Sequence, residues 1–106
     1  MTIYVGNGFS PNMVGDEAQI HIKTTTKQVF MNACKEGKSI IGHPEIAEHF
    51  NVPMNRVNIQ LVCGDVLYVV SPRQRLKTED YQYVSDENDY IYKRISVVKQ
   101  WRRHYD

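Results

Sequence analysis

Imidazole is the side chain whose ordinary titration lies near neutral pH, so the four histidines are the first places to look for proton chemistry. His43 is the best placed of them. It stands in Gly42-His43-Pro44, and because proline is favoured at the first helical position, His43 is predicted to cap a helix start. A histidine there has two uses. Its ring nitrogen can accept a backbone N–H of the first turn, or the ring can pass a proton to a reacting group. The positive end of a helix dipole disfavours imidazolium, whereas an adjacent phosphate favours it, so an arriving phosphate ester would charge the ring. His21 alternates outward on a strand, His49 lies near the end of the short helix and His104 is in the tail; all three are expected to be solvated. His43 and His49 are six residues apart with no cysteine pair or carboxylate to complete a ligand set, so neither a metal nor any other cofactor is expected.

Arg56 and Arg75 are candidate phosphate ligands, since guanidinium binds phosphate oxygens bidentately and stays charged at any relevant pH. Arg73 competes with Arg75 for that role, and Gln74 lies between them. The alternative is a pair of surface arginines near Asp65 and Glu79. The loop Gly6-Asn7-Gly8-Phe9-Ser10-Pro11-Asn12 offers the side chains of Asn7, Ser10 and Asn12 and the open backbone at Gly8 to a phosphate or a ribose hydroxyl. A turn whose polar groups satisfy their own backbone is the competing explanation.

These groups must be held by secondary structure. Ile3 to Val5 reads as a short strand running into the Gly6-Asn7-Gly8 loop. Ala18 to Lys23 alternates, with Ile20 and Ile22 on one face and His21 and Lys23 on the other, the period of a half-buried strand. Thr26 to Glu36 spaces Val29, Phe30, Ala33 and Cys34 as a helix, with threonine to cap it and Gly37 to end it. A second, shorter helix opens at His43-Pro44 and runs through Ile46, Ala47 and Phe50 before Pro53. Val57 to Val62 and Val66 to Ser71 read as the two strands of an antiparallel hairpin turning at Cys63-Gly64-Asp65. Val69 and Val70 in succession point to burial on both faces. Lys77 to Asp89 reads as a long polar surface loop, and a last strand begins at Ile91 or Ile95 and ends at Trp101. The fold class expected is α/β: one small domain, residues 1–106, with a mixed sheet of about five strands and flanking helices.

The bulk numbers narrow the function. A chain of 106 residues buries one core and no more. A net charge of +1 provides no general field for a long polyanion, so long nucleic acid is not the expected partner and any phosphate affinity must be local. Cys34 and Cys63 lack the spacing of a disulfide scaffold and are expected to be reduced. No stretch approaches the length of a membrane span and no leader pattern opens the chain, so no membrane is expected as a partner and the expected location is intracellular.

Five motifs in order resemble a known family. Tyr4-Val5-Gly6-Asn7-Gly8-Phe9-Ser10-Pro11-Asn12-Met13 is similar to an opening strand and an Asn-Ala-Phe-Ser-x-Asn-Met loop, Ile41-Gly42-His43 to Ile/Val-Gly-His, Asn55-Arg56-Val57 to Asn-Arg-Val/Ile, Gly64-Asp65 to a hairpin turn, and Gln74-Arg75-Leu76 to Gln-Arg-Leu. These are motifs of the viral ring nucleases, type III anti-CRISPR proteins. The resemblance implies a virus-encoded homodimer in the host cytoplasm that binds cyclic tetra-adenylate on its two-fold axis. It also implies that the ring is linearised without a metal: a ribose 2′-hydroxyl attacks its own 3′-phosphate, leaving a cyclic 2′,3′-phosphate end. Carried onto this chain, His43 is the catalytic residue and general acid, Arg75 and Arg56 stabilise the phosphorane, and Asn7, Gly8, Ser10, Asn12 and Gln74 hold the ligand. The family glutamate three residues after Arg75 is Thr78 here, with Glu79 one place later as the candidate for its role. Pro44-Glu45 also replaces the small polar residues that commonly follow the histidine. Two alternatives stand beside the enzyme: a sponge that sequesters a cyclic oligonucleotide uncut, and a virus-encoded interaction protein with no nucleotide ligand.

Overall fold

Two runs of β-branched and apolar residues near the start and middle of the chain pair in parallel and set the centre of the molecule. The computed structural model describes residues 1–15, 17–72 and 90–101. In chain order the elements are β1 (Ile3–Gly6), β2 (Glu17–Thr25), α1 (Lys27–Glu36), β3 (Lys38–Ser39), α2 (Pro44–His49), β4 (Val66–Pro72) and β5 (Tyr90–Trp101). They form one five-stranded mixed sheet in the order β2-β5-β4-β1-β3. β1 is parallel to both β3 and β4, while β5 is antiparallel to β4 and β2. The expected class, a small α/β domain with a mixed sheet and flanking helices, is what forms.

The helices are where the sequence puts them. Thr26 caps α1, its Oγ1 accepting from Val29 N at 3.2 Å, and the Gly37 amide closes the helix on Ala33 O at 2.7 Å. α2 starts with Pro44 in its first turn and is capped by His43. It ends at Phe50, after which Asn51 takes a left-handed φ of 55°.

Both faces of the sheet are covered. On the helical face, Phe30 meets Phe50 edge-on at 5.0 Å between ring centroids and Tyr92 at 5.5 Å, with Val5, Ile41, Ile46 and Val70 packed around them. On the other face, Leu61, Leu67, Val69, Ile95 and Val97 form a second cluster, joined by Phe9, Met13 and Ile59. Val69 and Val70 therefore belong to opposite clusters, as their succession predicts.

The segment Val57 to Val62 departs from the expected hairpin. It forms no strand, and Val66 to Pro72 pairs with β1 and β5 instead. Leu61 is fully buried while Val57 and Val62 are exposed, because this segment crosses the second face as its lid and does not extend the sheet. A sheet face with no helix over it needs some apolar cover, and that requirement overrides local β propensity. The turn survives: Gly64 has φ +95°, and buried Asp65 accepts from Thr2 N and Val62 N, each at 3.0 Å. β2 also differs in part. Ile20 packs against the second cluster, but Ile22 remains 51% exposed on this outer strand. β3, two residues long, had no sequence signal. The predicted loop from Lys77 to Asp89 lies outside the described residues.

Candidate functional site

β1, β3 and β4 run parallel, so their C-terminal ends share one edge of the sheet, and open α/β sheets gather ligand groups at such edges. β1 leads into Asn7, β3 leads through Ile40 and Ile41 to Gly42 and His43, and β4 ends at Pro72. Two of the expected site residues, Asn7 and His43, fall at that edge.

Three of the residues picked from sequence converge on Gly42. The Gly42 amide donates to Asn7 Oδ1 at 3.0 Å, and the Gly42 carbonyl accepts from Arg56 Nε at 2.8 Å. His43 follows immediately, half-buried, with Nδ1 accepting from Ile46 N at 3.4 Å. Arg56 reaches this point because residues 53–55 are laced to β3 and its exit. Asn55 N donates to Ile41 O at 2.8 Å, Asn55 Nδ2 to Ser39 O at 3.1 Å, and Ser39 Oγ to Pro53 O at 2.6 Å. Arg56 is exposed, and among the described residues it bonds only through Nε, with neither Nη group engaged there. Asp65, one of the expected partners for an arginine, is instead buried and holds backbone amides.

The loop residues divide between two places. Asn7 stays at the Gly42 junction, whereas Ser10 and Asn12 line a shallow groove of about 300 Å³ with Asn58 and Gln60. Ser10 Oγ accepts from Asn12 N at 3.3 Å and caps the short turn Pro11–Met13, which is the self-satisfied arrangement expected of such a loop. Asn12 offers its carbonyl to Gln60 Nε2 at 2.7 Å. Gln60 and Asn58 were hidden from sequence reasoning by the hairpin assignment, which treated them as strand residues. Gln74, Arg75 and Glu79 lie outside the described residues, as do Arg73 and His104.

His43 does what a cap does. With Nδ1 accepting, the neutral ring carries its proton on Nε2, and a ring protonated on both nitrogens has no lone pair left for Ile46 N. The cap is long for an N–H···N bond, so the structural gain it represents is small. His49, expected to be solvated, is exposed yet meets Phe50 edge-on at 4.8 Å and lies tilted against Tyr90 at 5.5 Å between ring centroids. His21 is exposed on β2 as expected. Among the described residues no group of His, Cys, Asp and Glu has the arrangement of a metal site. Among the described residues no helix is long and apolar enough to cross a membrane. Both described cysteines are free, and burial pushes the Cys34 thiol up to about 11.

The architecture has a known counterpart. Protein B116 of Sulfolobus turreted icosahedral virus matches with a TM-score of 0.73 over 91% of this chain and 99% of its own, at 17% sequence identity. The chain shares the fold of a viral protein. No family model matches the sequence, and no curated protein matches it.

Proposed function

We propose that this chain is a metal-independent ring nuclease that binds cyclic tetra-adenylate and opens it by attack of a ribose 2′-hydroxyl on the adjacent phosphate. The observation that carries this reading is the junction at Gly42, where Asn7, His43 and Arg56, distant in sequence, meet at the C-terminal edge of three parallel strands. Their order in the chain agrees with the viral ring nuclease motifs, and the similarity to a viral protein agrees with a virus-encoded origin and action in the host cytoplasm.

The chemistry needs three things. The attacking oxygen, whose proton passes to solvent, must lie in line with the leaving 5′-oxygen, which is a matter of holding ribose and phosphate, assigned to Asn7, Ser10, Asn12 and Gln74. Charge grows on the phosphorane oxygens, which the Arg56 Nη groups and Arg75 meet. The 5′-alkoxide must be protonated as it leaves, and His43 supplies that proton, a contribution of roughly a hundred- to ten-thousand-fold in rate. A phosphate beside His43 exchanges the Ile46 cap for a charged hydrogen bond, so the ring is recruited to chemistry by the ligand itself. A homodimer places a second copy of the junction across the two-fold axis, matching opposite phosphodiesters of the ring.

A sponge is the second reading, favoured by one observation: His43 Nδ1 is already engaged by Ile46 N. Titrating the protein with rings of three, four and six adenylates by thermal shift and calorimetry, and analysing each mixture for linear products, separates the readings. Cleavage of the four-membered ring in excess over protein supports the enzyme. Stoichiometric binding with an intact ring supports the sponge, and no binding to any ring removes both in favour of an interaction protein.

A further inference from the structure

The sequence contains a single Asn-Gly pair, Asn7-Gly8, and it falls at the candidate site. Asparagine followed by glycine is the dipeptide most open to intramolecular imide formation, because the glycine amide approaches the side-chain carbonyl without a Cβ in the way. The local geometry adds to this. Gly8 is exposed, nothing lies within 4 Å of where its Cβ would stand, and among the described residues its amide makes no hydrogen bond. Asn7 Oδ1 accepts from Gly42 N at 3.0 Å, so a donor already faces the oxygen on which negative charge would develop when Cγ is attacked. The Asn7 Nδ2 group, which must leave, makes no bond to any described residue.

We infer that Asn7-Gly8 is a self-modification site: Asn7 deamidates with Gly42 N as the oxyanion donor, and so the junction beside His43 acquires a carboxylate as the protein ages. The Gly8 amide nitrogen bonds to Asn7 Cγ, the Cγ–Nδ2 bond breaks, and ammonia leaves carrying the Gly8 amide proton. Water then opens the five-membered imide at either carbonyl, giving aspartate or isoaspartate. Either product adds one negative charge next to Gly42, His43 and Arg56. Isoaspartate also inserts a methylene into the backbone and draws the side-chain carboxylate away from Gly42 N. The consequence for ligand binding rests on the ring nuclease reading, since a carboxylate there repels a phosphate and pairs with Arg56.

The test incubates wild-type and Gly8→Ala proteins side by side at mildly alkaline pH and physiological temperature, digests samples over time and locates deamidation by fragment mass spectrometry. The expected result is conversion of Asn7 ahead of Asn12, Asn51, Asn55 and Asn58, with isoaspartate the larger product, and a sharp slowing in Gly8→Ala. An Asn7 that remains an amide while other asparagines convert overturns the inference, as does equal conversion in Gly8→Ala. The aged wild-type fraction is then titrated with cyclic tetra-adenylate, where weaker binding is expected. Conversion of Asn7 with undiminished affinity would count against the proposed function and leave the modification standing.

Discussion

Arg56 Nε lies 2.8 Å from the carbonyl oxygen of Gly42, a bond between residues 14 apart that fixes a cation beside His43. Arginine at an exposed position ordinarily samples many rotamers, and this bond removes that freedom before any ligand arrives. Under the proposed function, the guanidinium so held turns its Nη groups, unengaged among the described residues, to a phosphate.

Gly42→Ala probes that arrangement. A Cβ at residue 42 would stand 3.2 Å from Arg56 Cγ, so the arginine stem must give by a few tenths of an ångström and the Nε bond to the carbonyl is strained. Because the stem is exposed and flexible, urea denaturation should register less than about 1 kcal/mol of lost stability. Calorimetry with cyclic tetra-adenylate should show affinity reduced by up to roughly tenfold, the scale of one charged hydrogen bond. Unchanged affinity would separate Arg56 from the ligand.

Leu61→Ala tests the lid over the second face. Leu61 is fully buried among Leu67, Val69, Ile95 and Val97, so its truncation should cost about 2–5 kcal/mol in chemical denaturation. Val57→Ala, at a position 46% exposed, should cost less than about 0.5 kcal/mol. Equal losses at both positions would contradict the crossing path.

Cys34 carries a pH signature. Its thiol is raised from 9.0 to about 11 by burial in the folded chain. Unfolding lets it ionise from its ordinary value, so between roughly pH 9 and 11 the unfolded state holds fewer protons. The contribution of Cys34 is therefore complete below pH 9 and lost as pH rises through about 11. Comparing the wild type with Cys34→Ala across that window should show the steeper decline in the wild type. At lower pH, exposed Cys63 should react with a thiol reagent well before Cys34.

Much of this was legible in the residues. Both helices follow from local chemistry: Thr26 and Gly37 bound one, His43 and Pro44 open the other, and each signal acts within a turn. Asn7, His43 and Arg56 were visible as residue types, and the fold brings them together at Gly42. Gly42 itself was not visible as the meeting point, since that depends on parallel pairing of β1 with β3, a two-residue strand too short to leave a pattern. The misassigned strand at Val57 to Val62 has a similar cause. A β-branched run before a glycine turn signals apolar burial, and a segment laid over a sheet buries its apolar side chains just as a strand within it does. Misplacing it concealed the groove where Asn58 and Gln60 join Ser10 and Asn12.

The most direct measurement uses His43→Asn, which can keep an acceptor for the Ile46 amide and so retain the cap while removing the proton donor. Wild type and variant are each mixed with a large molar excess of cyclic tetra-adenylate, and intact ring, linear product and affinity are followed together. The account predicts many turnovers by the wild type with products ending in a cyclic 2′,3′-phosphate, and a variant that folds and binds comparably yet leaves the ring closed. A wild type that binds one equivalent and never turns over, or a His43→Asn variant that cuts at the wild-type rate, would contradict it.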